Sequence, residues 1–323
     1  MVRLRSRADE WSVDSGIRTH ESGLTVYGRE IPEQLDCDAG RMRGHAEWLS
    51  EGIRRNLGPL QEFLNGYYGT DSHRDEELTR FALSIELVDR LCPHGGRWFD
   101  AGSYGHDALR VGEVRPDIRS VLVSYEGGVI MKEPDGLLFW EGKPPGPAGS
   151  VNVERSDLER NRWKAGDHEL DLVTAFEVIE HFKRTPLAFV LEANRTLKPG
   201  AKVLLSTPNC GSARAASNIA RGLHPSLCPV YHRRDDYGRV HPLEYDRAQL
   251  VDLLTLHGFE LDLLCSVNLS PFDAWERWAI RVIRRLRVEH EMAEPMEVGQ
   301  RWFAIATKVQ DVRVRSYPPS LFA

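Results

Sequence analysis

The chain has 323 residues with a formal net charge of −6, of which 41% are hydrophobic and 28% are charged. That composition provides a buried core, and at about 100–200 residues per domain the length fits one large domain with an extension. The acidic balance argues against nucleic-acid binding, and no apolar run reaches the roughly 20 residues needed to span a bilayer, so we expect neither a nucleic-acid nor a membrane partner.

Residues 1–75 are predicted to form an N-terminal extension that is partly helical. Residues 1–40 are polar and lack a sustained period, which indicates extended or loop structure, whereas apolar residues recur at helical spacing from residue 39 to about 66. A stronger helix is predicted from Asp75 to Leu91, where the apolar residues share one face. This extension is expected to cover the cleft of the following domain or to pair with a second subunit in a homodimer.

Two further features of the chain indicate a cytoplasmic protein. The segment Met1–Glu10 is charged and lacks the apolar core of a secretion signal. The five cysteines are scattered and form no C-x-x-C pair, which indicates reduced thiols.

Strands and helices alternate after residue 96. Strands are predicted over residues 97–101, 120–125, 151–154, 170–176, 202–206, 259–267 and 302–309, and helices over 186–197 and 246–257. This alternation predicts an α/β fold with a mostly parallel sheet and helices on both faces. The domain is expected to span residues 76–310, with residues 210–240 as an inserted lid and residues 311–323 as an irregular tail.

Chemistry-bearing residues follow the first strand of this domain. The strand from Arg97 ends in Asp100 and a turn at Gly102, and in an α/β sheet such a turn lies at the carboxyl edge, where ligands bind. The dinucleotide fingerprint G-x-G-x-x-G is absent. Alone, the segment is as compatible with a plain strand-to-helix turn as with a ligand site.

A second group of motifs begins with the strand at residues 170–176. The segment D-L-V-T-A-F-E-V-I-E-H, starting at Asp171, is followed by L-K-P-G from Leu197, L-S-T-P-N from Leu205 and H-P-L-E-Y from His241. These ordered blocks resemble the class I S-adenosylmethionine-dependent methyltransferases, over roughly residues 75–310. The resemblance implies a Rossmann-like, seven-stranded methyltransferase sheet and S-adenosylmethionine as the cofactor.

The same resemblance implies which residues bind the cofactor. Glu126 would accept from the ribose hydroxyls, because a carboxylate accepts from both O–H donors. Asp157 would accept from the adenine amino group, with Leu158 beside it. Phe176 and Glu177 would lie next to the sulfonium. The residues implied at the methionine end are Asp100, Gly102, Ser103, Tyr104 and Gly105.

Catalysis requires alignment of the acceptor and, for a hydroxyl or an ammonium, removal of a proton. Any one histidine taken alone is more often structural, but the position of His181 in E-x-x-E-H favours a catalytic role. The catalytic candidates are Glu180, His181 and His241, with Tyr231, His232 and Asp236 as further candidates near the predicted carboxyl edge.

The layout of the blocks resembles bacterial enzymes that methylate sugars of polysaccharides or antibiotics. We therefore expect N- or O-methylation of a sugar or amino-sugar unit of a small-molecule natural product, such as an aminoglycoside. The net charge of −6 would attract a polycationic acceptor over long range.

Two alternatives stay open. Glu177, Glu180, His181 and His241 resemble the metal site of the small-RNA 3′-terminal 2′-O-methyltransferases, and carboxylates with imidazoles are ligands for a divalent ion. We nevertheless expect no metal, because metal-free small-molecule methyltransferases share E-x-x-E-H. The chain is also acidic, and no basic, aromatic-interleaved stretch of the kind that RNA recognition uses is recognised in it. Alternatively, Tyr104 stands where the family usually has glycine, which suits a degenerate, non-catalytic cofactor-binding protein.

Overall fold

A computed structural model gives the chain an α/β architecture around one ten-stranded sheet. None of the described helices is long and apolar enough to cross a membrane. The described residues are 11–14, 17–20, 25–27, 74–102, 111, 115, 117–124, 130–133, 136–139, 152–160, 162–226, 241–268, 272–292, 297–314 and 316.

The elements are numbered in chain order. The strands are β1 (Trp11–Asp14), β2 (Ile17–His20), β3 (Thr25–Tyr27), β4 (Arg97–Ala101), β5 (Arg119–Ser124), β6 (Ile130–Glu133), β7 (Gly136–Phe139), β8 (Asn152–Arg155), β9 (Leu170–Phe176), β10 (Leu197–Pro208), β11 (Phe259–Asn268) and β12 (Arg301–Lys308). The helices are α1 (Arg74–Leu91), α2 (Leu187–Thr196), α3 (Ala213–Ala220), α4 (Arg247–Thr255) and α5 (Ala274–Glu289), with one 3₁₀ turn at Ile179–His181.

The parallel half of the sheet positions the ligand crevice. Its spatial order is β8, β5, β4, β9, β10, and every neighbouring pair in it is parallel. The chain therefore proceeds outward from β4 in one direction and then from β9 in the other. The carboxyl ends of β4 and β9 form the topological switch point, where open α/β sheets bind ligands.

The antiparallel half of the sheet is larger than the sequence predicted. Next to β10 come β12, β11, β3, β2 and β1, each antiparallel to its neighbour. The predicted seven-stranded sheet is thus a ten-stranded one, in which residues 97–308 contribute seven strands and residues 11–27 contribute three. The short β1–β3 segments were interpreted as extended or loop structure, since three- or four-residue strands are too short to show a period.

Both faces of the sheet are covered by apolar side chains. In β10, Val203 and Leu205 pack on one face with Phe189 of α2, whereas Leu204 packs on the other with Ile85 of α1. Successive side chains of a strand point to opposite faces of the sheet. Because both faces are buried, the central strands are mostly apolar in sequence.

Two of the helices begin at an N-cap residue that the sequence shows clearly. Asp246 begins α4 with a capping box to Gln249, and Asp273 begins α5 with a capping box to Glu276. Predicted helix 75–91 is confirmed as α1, and predicted helices 186–197 and 246–257 correspond to α2 and α4. Helices α3 and α5 were not predicted, and the helix predicted over residues 39–66 lies outside the described residues.

Candidate active site

Asp100 is held at the end of β4 by a buried chain of hydrogen bonds. Trp98 Nε1 donates to Thr174 Oγ1 over 2.8 Å, and the Thr174 hydroxyl donates to Asp100 Oδ1 over 2.6 Å. Asp100 in β4 lies opposite Thr174 in β9, and Asp100 is 1% exposed. The carboxylate therefore has a fixed orientation at the floor of the crevice.

The turn after β4 requires glycine. Gly102 has a φ of +69°, and a Cβ at this position would lie 2.6 Å from Val178 Cγ2. The turn thus packs tightly against the loop that follows β9, so that any side chain on Gly102 would displace that loop.

Glu177 sits in a strained backbone position just after β9. Its φ is +55°, a left-handed value that non-glycine residues rarely adopt. The carboxylate accepts from the Ser206 hydroxyl over 2.9 Å and from Arg301 Nε over 2.8 Å. With side chains 14% and 9% exposed, Glu177 and Arg301 form a largely buried ion pair that joins β9 to β12.

Glu180 lies in the 3₁₀ turn Ile179–His181, next to His181 in sequence. Its side chain is fully buried, its Oε2 accepts from the Thr207 hydroxyl over 3.0 Å, and its Oε1 has no hydrogen-bond partner among the described residues. Burial, together with the negative charge of Glu177, raises the pKa of Glu180 to about 8, while His241 opposes this shift.

The rings of His181 and His241 contact each other next to this carboxyl group. Their ring centroids are 4.7 Å apart in an edge-to-face arrangement. His241 Nδ1 lies 3.0 Å from Glu244 Oε1, and the side chains of this pair are 8% and 4% exposed. A carboxylate can only accept, so in this pair Nδ1 of His241 is the donor and Glu244 orients the ring.

The three groups form one compact cluster. One ligand atom from each of Glu180, His181 and His241 lies within 4.8 Å of the other two. Such a cluster can accept and hold a proton, or it can ligate a divalent cation. Glu177 is not part of it, because its carboxylate is engaged by Ser206 and Arg301. The four-residue set suggested by the sequence is therefore reduced to three in this structure.

Other predicted site residues fall into two groups. Asp157 follows β8, is 5% exposed and accepts from the backbone N–H of Glu159 over 2.9 Å, and the adjacent Leu158 is fully buried. Phe176 ends β9 and is 8% exposed. Residues that lie outside the described part of the chain, and so stay predictions, are Ser103, Tyr104, Gly105, Glu126, Tyr231, His232 and Asp236.

Three residues at the site were not predicted to have a role. Glu244 lies three residues after His241, a spacing that could have indicated a carboxylate–imidazole pair. Thr207 belongs to the L-S-T-P-N block and binds Glu180. Arg301 is 124 residues from Glu177 in sequence, and nothing in the local sequence around either residue indicates their ion pair.

Comparison with known proteins gives one family match. Residues 71–264, more than half of the chain, match the family model described as a methyltransferase domain. Comparison with curated proteins gives no match.

Several solved structures are similar to the chain. A SAM-dependent methyltransferase from Archaeoglobus fulgidus is 19% identical over 76% of this chain and 98% of that chain, with a TM-score of 0.44. An S-adenosylmethionine-dependent methyltransferase from Mesorhizobium loti is 13% identical over 71% and 97%, with a TM-score of 0.42. A chain from the complex between the Haloferax volcanii Trm112 methyltransferase activator and a methyltransferase is 13% identical over 74% and 95%, with a TM-score of 0.45.

Proposed function

Because the chain belongs to the methyltransferase domain family and is an S-adenosylmethionine-dependent methyltransferase, we propose that it methylates nitrogen or oxygen of a sugar or amino-sugar unit in a small-molecule natural product. The observation that carries this proposal is the cluster of Glu180, His181 and His241. A hydroxyl or ammonium acceptor must lose a proton, and this cluster provides groups that can take one.

We assign the cofactor to the crevice at the ends of β4 and β9. In support, Asp100 is buried with its carboxylate oriented by Thr174, and the positive φ of Gly102 lets the backbone turn closely there. Asp157 and Leu158 follow β8, two strands from β4 at the same edge of the sheet, and are assigned to the adenine end. When bound, S-adenosylmethionine supplies an activated methyl group, so the task of these residues is alignment.

We assign the proton-accepting role to His181. Its side chain is 24% exposed, compared with 8% for His241, so an acceptor can reach it more easily. Glu180 Oε1 lies 4.0 Å from His181 Nε2, and in its ionised form this carboxylate can stabilise the imidazolium that forms. His241, oriented by Glu244, fixes the position of the His181 ring.

The acceptor class is tested with labelled S-adenosylmethionine and a panel of aminoglycosides, neutral glycosides and short RNAs. We expect label in a glycoside, and for an aminoglycoside we expect binding to weaken as salt rises, because screening limits the field of the acidic protein to about 8 Å at physiological ionic strength. Label in RNA alone would contradict the proposal. Label in neutral glycosides alone would exclude its amino-sugar form.

The role of His181 is tested with His181→Gln, and His94→Gln is the matched control because the His94 side chain is 91% exposed. Loss of the proton acceptor should reduce kcat by about 100-fold or more. The control should retain wild-type turnover. Equal turnover by both variants would remove His181 from the catalytic cluster.

A second candidate function is a metal-dependent methyltransferase that acts on the 3′-terminal 2′-hydroxyl of RNA. It is favoured by the ligand atoms of Glu180, His181 and His241 within 4.8 Å of one another, and by Glu244, which contacts His241 as carboxylates often contact metal-ligating histidines. Loss of turnover in EDTA, with recovery in Mg²⁺ or Mn²⁺ and label in RNA, would establish this candidate instead.

A further inference from the structure

Helix α5 has an exposed apolar stripe as well as a buried one. Its buried side consists of Glu276, Ala279 and Ile280, and Ile280 packs in a small core with Ala213 of α3. Trp275, Trp278 and Leu286 are exposed at 49%, 39% and 48%. Their spacing of three and eleven residues from Trp275 places all three on one side of the helix.

A row of arginines runs beside this stripe. Arg277, Arg281 and Arg285 recur every four residues and are exposed, so they share a helix side next to the two tryptophans. Residues 274–289 contain five arginines and two glutamates, and one of these glutamates is the buried Glu276. The surface of α5 is therefore basic on a chain whose net charge is −6.

The end of helix α3 enlarges the same surface. The Arg221 guanidinium lies 5.7 Å from the centroid of the Trp275 ring. Ile219, in the last turn of α3, and Leu223, three residues after the helix ends, are 62% and 49% exposed. Aliphatic, aromatic and guanidinium groups thus occur together where α3 meets α5.

We propose that this surface, formed by the exposed side of α5 and the last turn of α3, binds an anionic lipid membrane with α5 lying in the plane of the headgroups. Interfacial helices combine a basic side with tryptophan and leucine on an adjacent apolar side. Arginines attract anionic headgroups, and tryptophan is stable where one end is apolar and the other is wet. A helix that lies in the headgroup plane needs no apolar run long enough to span a bilayer, so the absence of such a run in the sequence does not exclude this mode of binding.

The composition of the surface favours lipid over the other possible occupants. RNA binding uses planar side chains on which bases stack, and the aliphatic side chains of Ile219, Leu223 and Leu286 provide no such surface. A second copy placed symmetrically on this surface would bring two sets of arginines together, which is repulsive. An anionic bilayer matches the arginines and the aliphatic side chains at once.

The surface lies on the same edge of the sheet as the candidate active site. Helix α5 connects the carboxyl end of β11 to the start of β12, where Arg301 binds Glu177. A membrane bound there would face the catalytic edge of the protein. The inference does not depend on which acceptor is methylated.

The test is co-sedimentation of the full chain with vesicles of phosphatidylcholine alone or mixed with phosphatidylglycerol. We expect binding to the mixed vesicles only, with a blue shift of tryptophan fluorescence that Trp275→Ala/Trp278→Ala abolishes. Arg281→Gln/Arg285→Gln should weaken binding about 25-fold, since each arginine near an anionic surface contributes about fivefold. The matched control is Arg162→Gln/Arg313→Gln, which removes two exposed arginines that pair with Asp167 before β9, at the opposite edge.

Several results would overturn the proposal. These are no binding of the wild type to anionic vesicles at low salt, equal binding to neutral vesicles, or equal losses in the control and in the α5 variants. Binding to a short RNA but not to vesicles would assign the surface to RNA. A wild-type dimer that Trp275→Ala/Trp278→Ala converts to a monomer, without vesicle binding, would assign it to a second copy.

Discussion

Replacing Gly102 by alanine should perturb both the fold and the proposed cofactor site. The φ of +69° costs an alanine about 1–2 kcal/mol. The new Cβ would also lie 2.6 Å from Val178 Cγ2, well inside the roughly 3.5–4.0 Å of an ordinary carbon contact, and overpacking of this kind costs about 1–3 kcal/mol. We expect Gly102→Ala to lower the free energy of unfolding by about 2–5 kcal/mol.

A double-mutant cycle separates the two contributions. Val178→Ala removes Cγ1 and Cγ2, the two atoms that the new methyl group would meet most closely. Gly102→Ala/Val178→Ala should therefore be more stable than the sum of the single effects predicts, by about 1–3 kcal/mol. The backbone contribution should remain in the double variant. Urea unfolding measures all four proteins, and calorimetry with S-adenosylhomocysteine reports whether displacement of the Val178 loop weakens cofactor binding. A Gly102→Ala protein within about 0.5 kcal/mol of the wild type, or an additive cycle, would refute this reasoning.

Three further predictions concern Glu177, Glu180 and Glu126. Glu177→Gln removes the charge that Arg301 faces in a largely buried pair and should lower the free energy of unfolding in urea by about 3 kcal/mol. Glu177→Gln/Arg301→Met should recover most of this loss. An unchanged free energy of unfolding in Glu177→Gln would show that the ion pair does not stabilise the fold. Because burial raises the pKa of Glu180 from 4.5 to about 8, the folded protein keeps a proton that the unfolded chain loses between these pH values. The melting temperature of the wild type in EDTA should therefore fall as pH rises over this range. The Glu180→Gln variant should lack this contribution to the pH dependence. A wild-type melting temperature that rises over that pH range would be inconsistent with a buried, uncompensated carboxyl group. Glu126→Ala should weaken S-adenosylhomocysteine binding by about 1.5–3 kcal/mol in calorimetry, and unchanged affinity would place the ribose contact elsewhere.

The sequence predicted well the parts of the fold that depend on local pattern. The strand Leu170–Phe176 has the same limits in the prediction and in the structure, and helix α1 begins one residue before its prediction. Both segments are long enough for a helical period or a mostly apolar stretch to be recognised in the sequence. Strands β1–β3 have only three or four residues each, and their place beside β11 depends on pairing across more than 230 residues.

Helix α5 was missed for a different reason. Its exposed residues Trp275, Trp278 and Leu286 are apolar, and so is part of its buried side. The sequence therefore does not show the simple division into one apolar and one charged face by which an amphipathic helix is recognised. The same feature explains why the five arginines and two tryptophans of residues 274–289 were not recognised as one basic surface.

The candidate site was predictable where the motif is continuous. Glu180 and His181 are adjacent in sequence, and His241 was identified through its own block, so all three members of the cluster were among the catalytic candidates. The interpretation of Glu177 was incomplete, because its partner Arg301 comes from an antiparallel strand late in the chain. Long-range electrostatic partners of this kind leave no periodic signal in the sequence.

We propose that the crevice at the ends of β4 and β9 binds S-adenosylmethionine for methyl transfer. Calorimetric titration of the folded wild type with S-adenosylhomocysteine tests it most directly, with Asp100→Asn as the paired variant because Asp100 is buried at the floor of that crevice. We expect saturable binding that Asp100→Asn weakens about tenfold or more, because the variant loses a charge-assisted hydrogen bond. If the folded wild-type protein shows no binding, the crevice is not the cofactor site.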